Sequence, residues 1–240
     1  MTSNKRTIIV GDVHGCGEEL LALLDKLAYP RPGDRLIFVG DLFDRGPLPQ
    51  LVLQTILDHK RRGPQKGYGL ESVCGNHDAE LRAYCRMLYD DTGRSSSLSR
   101  TQQRTIDAVD RAGMLEDLAI FLEDLDNVDT IRDSAGEWAV VHAGIDPVLG
   151  LDATPGAIKR TIKALPGLPA WYDEYDGDDG LLICGHQHQA EPLVRSRDGQ
   201  PVVINVDTGC CYGGALTAYL VEESQFMSVP AARVYYRERP

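Results

Sequence analysis

The chain has 240 residues, 42% of them hydrophobic, which suits one large domain or a domain with an inserted cap. A net charge of −11 argues against a general nucleic-acid binder, which would carry a basic stripe, and leaves room for one phosphorylated ligand held by metals and a few arginines. No run of about 18 apolar residues marks a membrane span, and "MTSNKRTIIV" turns strand-like too early for a signal peptide. The six cysteines, Cys16, Cys74, Cys85, Cys184, Cys210 and Cys211, form no Cys-x-x-Cys zinc pair, and several abut apolar strands. They read as reduced, mostly buried thiols of a cytoplasmic protein, the adjacent Cys210 and Cys211 included.

The first element is a short buried strand at Ile8, Ile9 and Val10, stopped by Gly11 and followed by Asp12, His14 and the turn residue Gly15. Leu20, Leu23, Leu24 and Leu27 then recur at helical spacing. The pattern repeats. A strand over 35–39 ends at Gly40 and Asp41, and Pro47 and Pro49 lead into a helix carrying Leu51, Val52, Ile56 and Leu57. A third strand ends near Cys74, and Gly75, Asn76 and His77 precede a helix from Asp78. Alternating strands and helices over this first third predict a parallel βαβ sheet. Ligands in such sheets sit in the crevice beyond the carboxyl ends of the strands.

Residues 79–127 read as a mainly helical, polar insertion or cap with the Ser-rich stretch "TGRSSSLSR" in its middle. Its Arg82, Arg86, Arg94, Arg100 and Arg104 suit a solvated face better than a substrate contact. Two further strands end at Val141, before His142 and Gly144, and at Cys184, before Gly185, His186 and His188. Beyond His188, a hairpin about Asp198 and Gly199 and strands in "ALTAYLV" and "AARVYYRE" predict a second, largely antiparallel sheet. Five of the six histidines thus stand at strand ends, while His59 lies in an amphipathic helix. Asp, Asn and His without thiolates suit borderline divalent ions such as manganese, iron or zinc. Two such ions about 3.5–4 Å apart clamp a phosphoryl group and lower the pKa of a shared water.

The segments "GDVHG", "GDLFDRGP", "GNHD", "VHAG" and "GHQH", in this order, resemble the motifs of the calcineurin-like metallophosphoesterases. The DRG form of the second points to the phosphoprotein-phosphatase branch, and the resemblance spans about residues 7–220. It implies an α/β fold, a sandwich of two mixed β-sheets flanked by helices in one domain over 1–240, but does not constrain the helical insertion read at 79–127. It also implies two divalent metal ions, manganese (Mn2+) first and iron, zinc, cobalt or nickel as alternatives, with a hydroxide between them as nucleophile. Residue by residue, Asp12 and His14 resemble ligands of the first ion, Asp41 the bridging carboxylate, and Asn76, His142 and His186 ligands of the second. His188 resembles either a further ligand of the first ion or a bystander. His77 resembles the histidine that protonates the leaving oxygen, Asp44 its orienting carboxylate, and Arg45 the arginine on the phosphate oxygens.

From Val206, "VDTGCCYGGALTAYLVEE" resembles the C-terminal motif of bacterial symmetrical diadenosine tetraphosphatases. That implies a dinucleoside polyphosphate substrate split to nucleoside diphosphates. "GDLFDRGP" with Asp44 intact resembles bacterial and phage Ser/Thr protein phosphatases, so a phosphoprotein, phosphotyrosine included, is the alternative substrate. The family's second phosphate-binding arginine is missing from "LPGLPAWYDEYDGDDGLLICGH", although Arg160 lies upstream. Trp171, Tyr172 and Tyr175 suit packing more readily than base stacking, and Cys16 reads as packing under the Asp12 turn. No stable nucleic-acid partner and no membrane partner is expected.

Overall fold

β1 (Arg6–Val10) and β2 (Asp34–Phe38) pair in parallel with Ile8 opposite Leu36, Ile9 opposite Ile37 and Val10 opposite Phe38. Side chains alternate across a strand. Ile8, Val10, Leu36 and Phe38 therefore enter one core and Ile9 and Ile37 another, on the opposite face. This is why the runs are apolar throughout rather than alternating: both faces are covered. The computed structural model describes residues 5–89 and 98–237.

α1 (Gly17–Lys26) follows β1, and α2 (Pro49–Lys66) follows β2 with Pro49 in its first turn. β3 (Gly69–Ser72) pairs in parallel with β2, and α3 (Asn76–Tyr89) starts two residues earlier than its apolar pattern predicts. α4 (Arg100–Arg111) opens on a capping box in which Ser99 and Gln102 satisfy each other's backbone N–H groups. α5 (Leu115–Leu125) completes the group. The described residues of 79–127 are mainly helical, and Leu81, Cys85, Ile106, Val109, Leu118 and Leu122 join the same core as α1 and α2. The segment "TGRSSS" and Arg94 lie outside the described residues.

β4 (Ile131–Arg132) and β5 (Trp138–Val140) open a second sheet, and three short helices follow: α6 (Gly150–Ala153), α7 (Gly156–Thr161) and α8 (Trp171–Glu174). β6 (Leu181–Cys184), β7 (Leu193–Arg197) and β8 (Gln200–Asn205) complete that sheet, in the order β4-β5-β6-β8-β7. The β7–β8 hairpin turns at Asp198 and Gly199, both with positive φ, as a two-residue hairpin loop requires. β9 (Asp207–Thr208), β10 (Ala215–Leu220) and β11 (Gln225–Pro230) return to the first sheet, ordered β11-β10-β1-β2-β3 with β9 against β10.

Two expectations change here. "ALTAYLV" is a strand, but β10 pairs antiparallel with β1 and β11 in the first sheet and not with the β7–β8 hairpin that precedes it. "AARVYYRE" is not a strand: Tyr235 and Tyr236 donate their N–H groups to the Cys211 carbonyl, and the edge strand is β11 just before it. Both sheets are mixed. Ile9, Ile37, Val140, Ile183 and Ile204 fill the space between them, and Trp171 and Tyr175 cover the outer face of the second. All six cysteines are free and buried. Among the described residues, no helix is long and apolar enough to cross a membrane.

Candidate metal centre

The loops after β1, β2, β3, β5 and β6 converge at one edge of the sandwich. Five side chains there sit on left-handed backbone: His14 (φ 46°), Asp41 (49°), Asp44 (74°), Arg45 (64°) and His186 (69°). Such residues cost of order 1–3 kcal/mol each and persist only where their surroundings hold them. Here His14 N–H donates to Asp41 O at 2.8 Å, and Gly46 N–H to His14 O at 2.7 Å. Asp78, fully buried, accepts from Leu42 N at 3.0 Å and Gly75 N at 3.1 Å, tying the second loop to the third. A Cβ on Gly75 would fall 2.1 Å from Asp41 Oδ1, and one on Gly185 would fall 2.0 Å from Asp12 Oδ1. Both glycines exist so that backbone can pass a carboxylate at contact distance.

Asp41 is the centre of the arrangement. Its Oδ2 lies 3.6 Å from His14 Nε2 and 3.4 Å from His142 Nε2. Asp12 Oδ2 stands 3.9 Å from His14 Nε2, and the Asp12 carboxylate accepts from His186 N at 3.1 and 3.2 Å. Asn76 Oδ1 is 3.2 Å from His142 Nε2. Asp41 with His14 and His77, and Asp41 with His142 and His186, form two groups whose ligand atoms lie within 4.8 Å of one another. His14 Nδ1 donates to Phe43 O at 3.2 Å and His142 Nδ1 to Val39 O at 2.7 Å, which turns each Nε2 toward Asp41. His186 Nε2 is buried without a hydrogen-bond partner. A buried orphan nitrogen beside a shared carboxylate is what a bound cation would satisfy, so the residues fit a pair of borderline divalent ions.

The electrostatics agree. Burial pushes His14 down to about 3, and burial with His142 nearby does the same to His186, so both are neutral donors at pH 7. Burial also depresses His142, but Asp41 outweighs it and holds the imidazole at about 10. Burial and the neighbouring Asp207 raise Asp12 well above the usual carboxylate range. Without a cation, protons occupy this centre.

Beside it stands a hydrogen-bonded pair: His77 Nδ1 donates to Asp44 Oδ2 at 2.7 Å. Burial lowers His77, but Asp41 and the Asp44 bond outweigh it and raise its pKa. Burial raises Asp44, but its bonds to His77 and to the Thr101 hydroxyl lower it on balance. Arg45 Nη1 donates to His14 Nε2 at 2.7 Å and its guanidinium lies over the rings of Tyr212 and Tyr236. A carboxylate shared by two groups of metal-binding donors, an oriented imidazole and an adjacent guanidinium suit hydrolysis of a phosphate ester or anhydride.

The family model for calcineurin-like phosphoesterases matches residues 5–190. The chain belongs to the calcineurin-like phosphoesterases. It is a metal-dependent phosphoesterase. A bis(5'-nucleosyl)-tetraphosphatase PrpE, named asymmetrical, from Halalkalibacterium halodurans is 29% identical over 96% of each chain. The protein of the same name from Bacillus subtilis is 27% identical over 96% of this chain and 97% of its own. A solved structure of a candidate diadenosine tetraphosphatase superposes with a TM-score of 0.70 at 26% identity, covering 96% of this chain and 95% of that one. A cold-active protein-tyrosine phosphatase from a psychrophilic Shewanella superposes at 0.61 and 18% identity, covering 93% of this chain and 80% of that one, a likeness of fold alone.

In this calcineurin-like phosphoesterase, Asp12, His14, Asp41, Asn76, His142 and His186 come together, with His77, Asp44 and Arg45 beside them. His188 does not join either group of ligand atoms. It is exposed and stacks on Tyr212, ring centroids 4.3 Å apart, on the Asp207 side. Arg160 is engaged by Asp126 through its carbonyl at 3.1 Å. Trp171 and Tyr175 are core residues, while Tyr172 packs on Trp171. Arg82 and Arg86 pair with Asp126 and Glu123. Asp78, Thr101 and Asp207 escaped the sequence reading. Asp78 stands in "GNHD", yet its acceptors' partners are 36 positions away or on the same loop, and no local spacing marks the first of these.

Proposed function

We propose that the chain hydrolyses dinucleoside tetraphosphates, diadenosine tetraphosphate foremost, at a centre of two divalent cations. Asp12, His14 and Asp41 would hold one cation, and Asp41, Asn76, His142 and His186 the other. Manganese is the proposed occupant, with iron, zinc, cobalt and nickel compatible with the same donors. The cations supply Lewis acidity and a water acidic enough to ionise near neutral pH. Arg45 binds the non-bridging oxygens of the phosphate under attack. His77 delivers its proton to the departing oxygen, and Asp44 keeps the ring turned and charged for that step.

The observation that carries the reading is the sharing of Asp41 by two ligand groups beside the Asp44–His77 pair. Relatives named as tetraphosphatases over 96% of the chain support the substrate class. Their names also favour an asymmetrical cut, to a nucleoside triphosphate and a monophosphate, over the symmetrical cut suggested by the Val206 segment. The test is turnover of diadenosine tetraphosphate by metal-stripped protein refilled with manganese, with products separated by chromatography. ATP and AMP support the proposal as stated. Two ADP would keep the substrate and reverse the cut. Turnover of a phosphoserine peptide without turnover of the dinucleotide would overturn it.

A further inference from the structure

Arg45 faces two ways. One side meets His14; the other borders a cleft of about 410 Å³ walled by Pro47, by Arg104, Ala108 and Arg111 of α4, and by Arg233. A second cavity of about 790 Å³ shares Arg104 and Tyr235 with the first and adds Arg100, Tyr236 and Arg237. The two adjoin at Arg104 and Tyr235, and the smaller one reaches Arg45 beside the metal centre.

The sequence builds this cleft from two elements. Arg100, Arg104 and Arg111 fall at i, i+4 and i+11, one stripe of α4. The opposite stripe, with Gln102, Thr105, Ile106 and Val109, is buried, so the arginines point away from the core. The facing wall is the C-terminal segment 231–237. It is pinned by Glu19, whose Oε1 accepts from Ala232 N at 3.0 Å and Tyr235 Oη at 2.6 Å, and by the Cys211 carbonyl. Among the described residues, Arg100, Arg104, Arg111 and Arg237 form no ion pair with a carboxylate, whereas Arg82 and Arg86 on neighbouring α3 do. A chain of net charge −11 thus gathers six arginines, Arg45 included, along one cleft. Such a cluster repels itself until an anion fills it, and guanidinium groups match phosphate oxygens in a forked geometry. Tyr236 lines the larger cavity with Arg45 over one face of its ring, and Tyr235, under Arg233, stands where the two cavities meet.

We infer that this cleft binds the oligophosphate chain and the distal nucleoside of a substrate whose scissile phosphate lies at Arg45. The inference rests on the dinucleotide reading of the metal centre. A cationic channel leading off one side holds one end of the substrate and so selects which anhydride bond reaches the cations.

The test compares R104A/R111A and R233A proteins with the parent, all loaded with manganese, on diadenosine tetraphosphate, p-nitrophenyl phosphate and a phosphoserine peptide. Inorganic tripolyphosphate serves as an inhibitor of p-nitrophenyl phosphate hydrolysis. KM for the dinucleotide rises about tenfold or more in the double variant, with kcat nearly constant, and the inhibition constant of tripolyphosphate rises in parallel. The small ester, which reaches no farther than Arg45, keeps its kcat and KM. R104K/R111K recovers part of the loss, because the charge returns without the fork. Unchanged KM and unchanged tripolyphosphate inhibition would overturn the cleft. So would a rise in KM confined to the peptide, which would make the cleft a protein-docking surface. If the parent leaves the dinucleotide intact, the proposed function fails separately, and weakened tripolyphosphate inhibition still identifies an oligophosphate cleft. The arginines are exposed or on the surface segment, so unchanged circular dichroism and Tm show that the variants fold.

Discussion

Asp44 Oδ2 and His77 Nδ1 are 2.7 Å apart, with Asp44 almost completely buried and His77 partly open to the site. The carboxylate fixes the ring's tautomer and favours its charged form. Once cations bind, Asp41's charge is taken up by them, and Asp44 is the partner that still holds a proton on His77. The Asp44 bond therefore favours the acid form of the ring, and the rate falls as pH rises through the pKa of His77. D44N moves this alkaline limb to lower pH. H77A removes it and slows the chemical step by about 10²–10⁴-fold. A pH–rate profile of the manganese form checks both. An alkaline limb unmoved in D44N would show that Asp44 does not control the proton.

Metal binding and protons compete. In the metal-free protein His142 is protonated up to about pH 10, and Asp12 is raised well above its ordinary value. A cation at these atoms expels the protons, so apparent affinity rises with pH. Calorimetric titration with manganese in buffers of different ionisation enthalpy should register net proton release near pH 7. Release indistinguishable from zero would contradict the arrangement around Asp41.

Gly185 passes Asp12 so closely that a methyl group has no room: its Cβ would stand 2.0 Å from Oδ1. G185A must displace either Asp12 or the backbone that carries His186. The expected result is a large loss of bound manganese by elemental analysis with near-normal far-ultraviolet circular dichroism. Full metal content in G185A would mean that Asp12 holds no ion.

Asp78 joins two loops through bonds to Leu42 N and Gly75 N. D78A leaves two buried N–H groups without acceptors, at about 1–3 kcal/mol each. The variant should unfold at lower denaturant concentration and also lose kcat, since Asp41 and Asn76 stand on the loops it ties. A parent-like midpoint would show that water replaces the carboxylate.

Much of this site was legible because each functional side chain follows a short apolar strand and a turn residue. Asp12, Asp41, Asn76, His142 and His186 could be found by local pattern alone, and their convergence follows from parallel strands ending at a common edge. Pairing between distant strands could not be read so. "ALTAYLV" states that β10 is a strand but not that its neighbour is β1, more than two hundred positions earlier. The segment 231–237 looks like a strand, with Val and two Tyr in line, yet the N–H groups of Tyr235 and Tyr236 are taken by Cys211 O and that of Ala232 by Glu19, which local propensity cannot report. His188 shows the same limit at the site: Gly-His-x-His places two histidines on one loop, but only His186 turns toward Asp41, and His188 turns toward Tyr212.

The central claim is tested most directly by incubating the metal-stripped chain with diadenosine tetraphosphate, with and without added manganese, and resolving the nucleotides by chromatography. The account predicts no turnover without the ion and, with it, loss of the dinucleotide with ATP and AMP appearing in equal amounts. An intact dinucleotide in the presence of manganese, under conditions where a phosphoserine peptide is dephosphorylated, would contradict it.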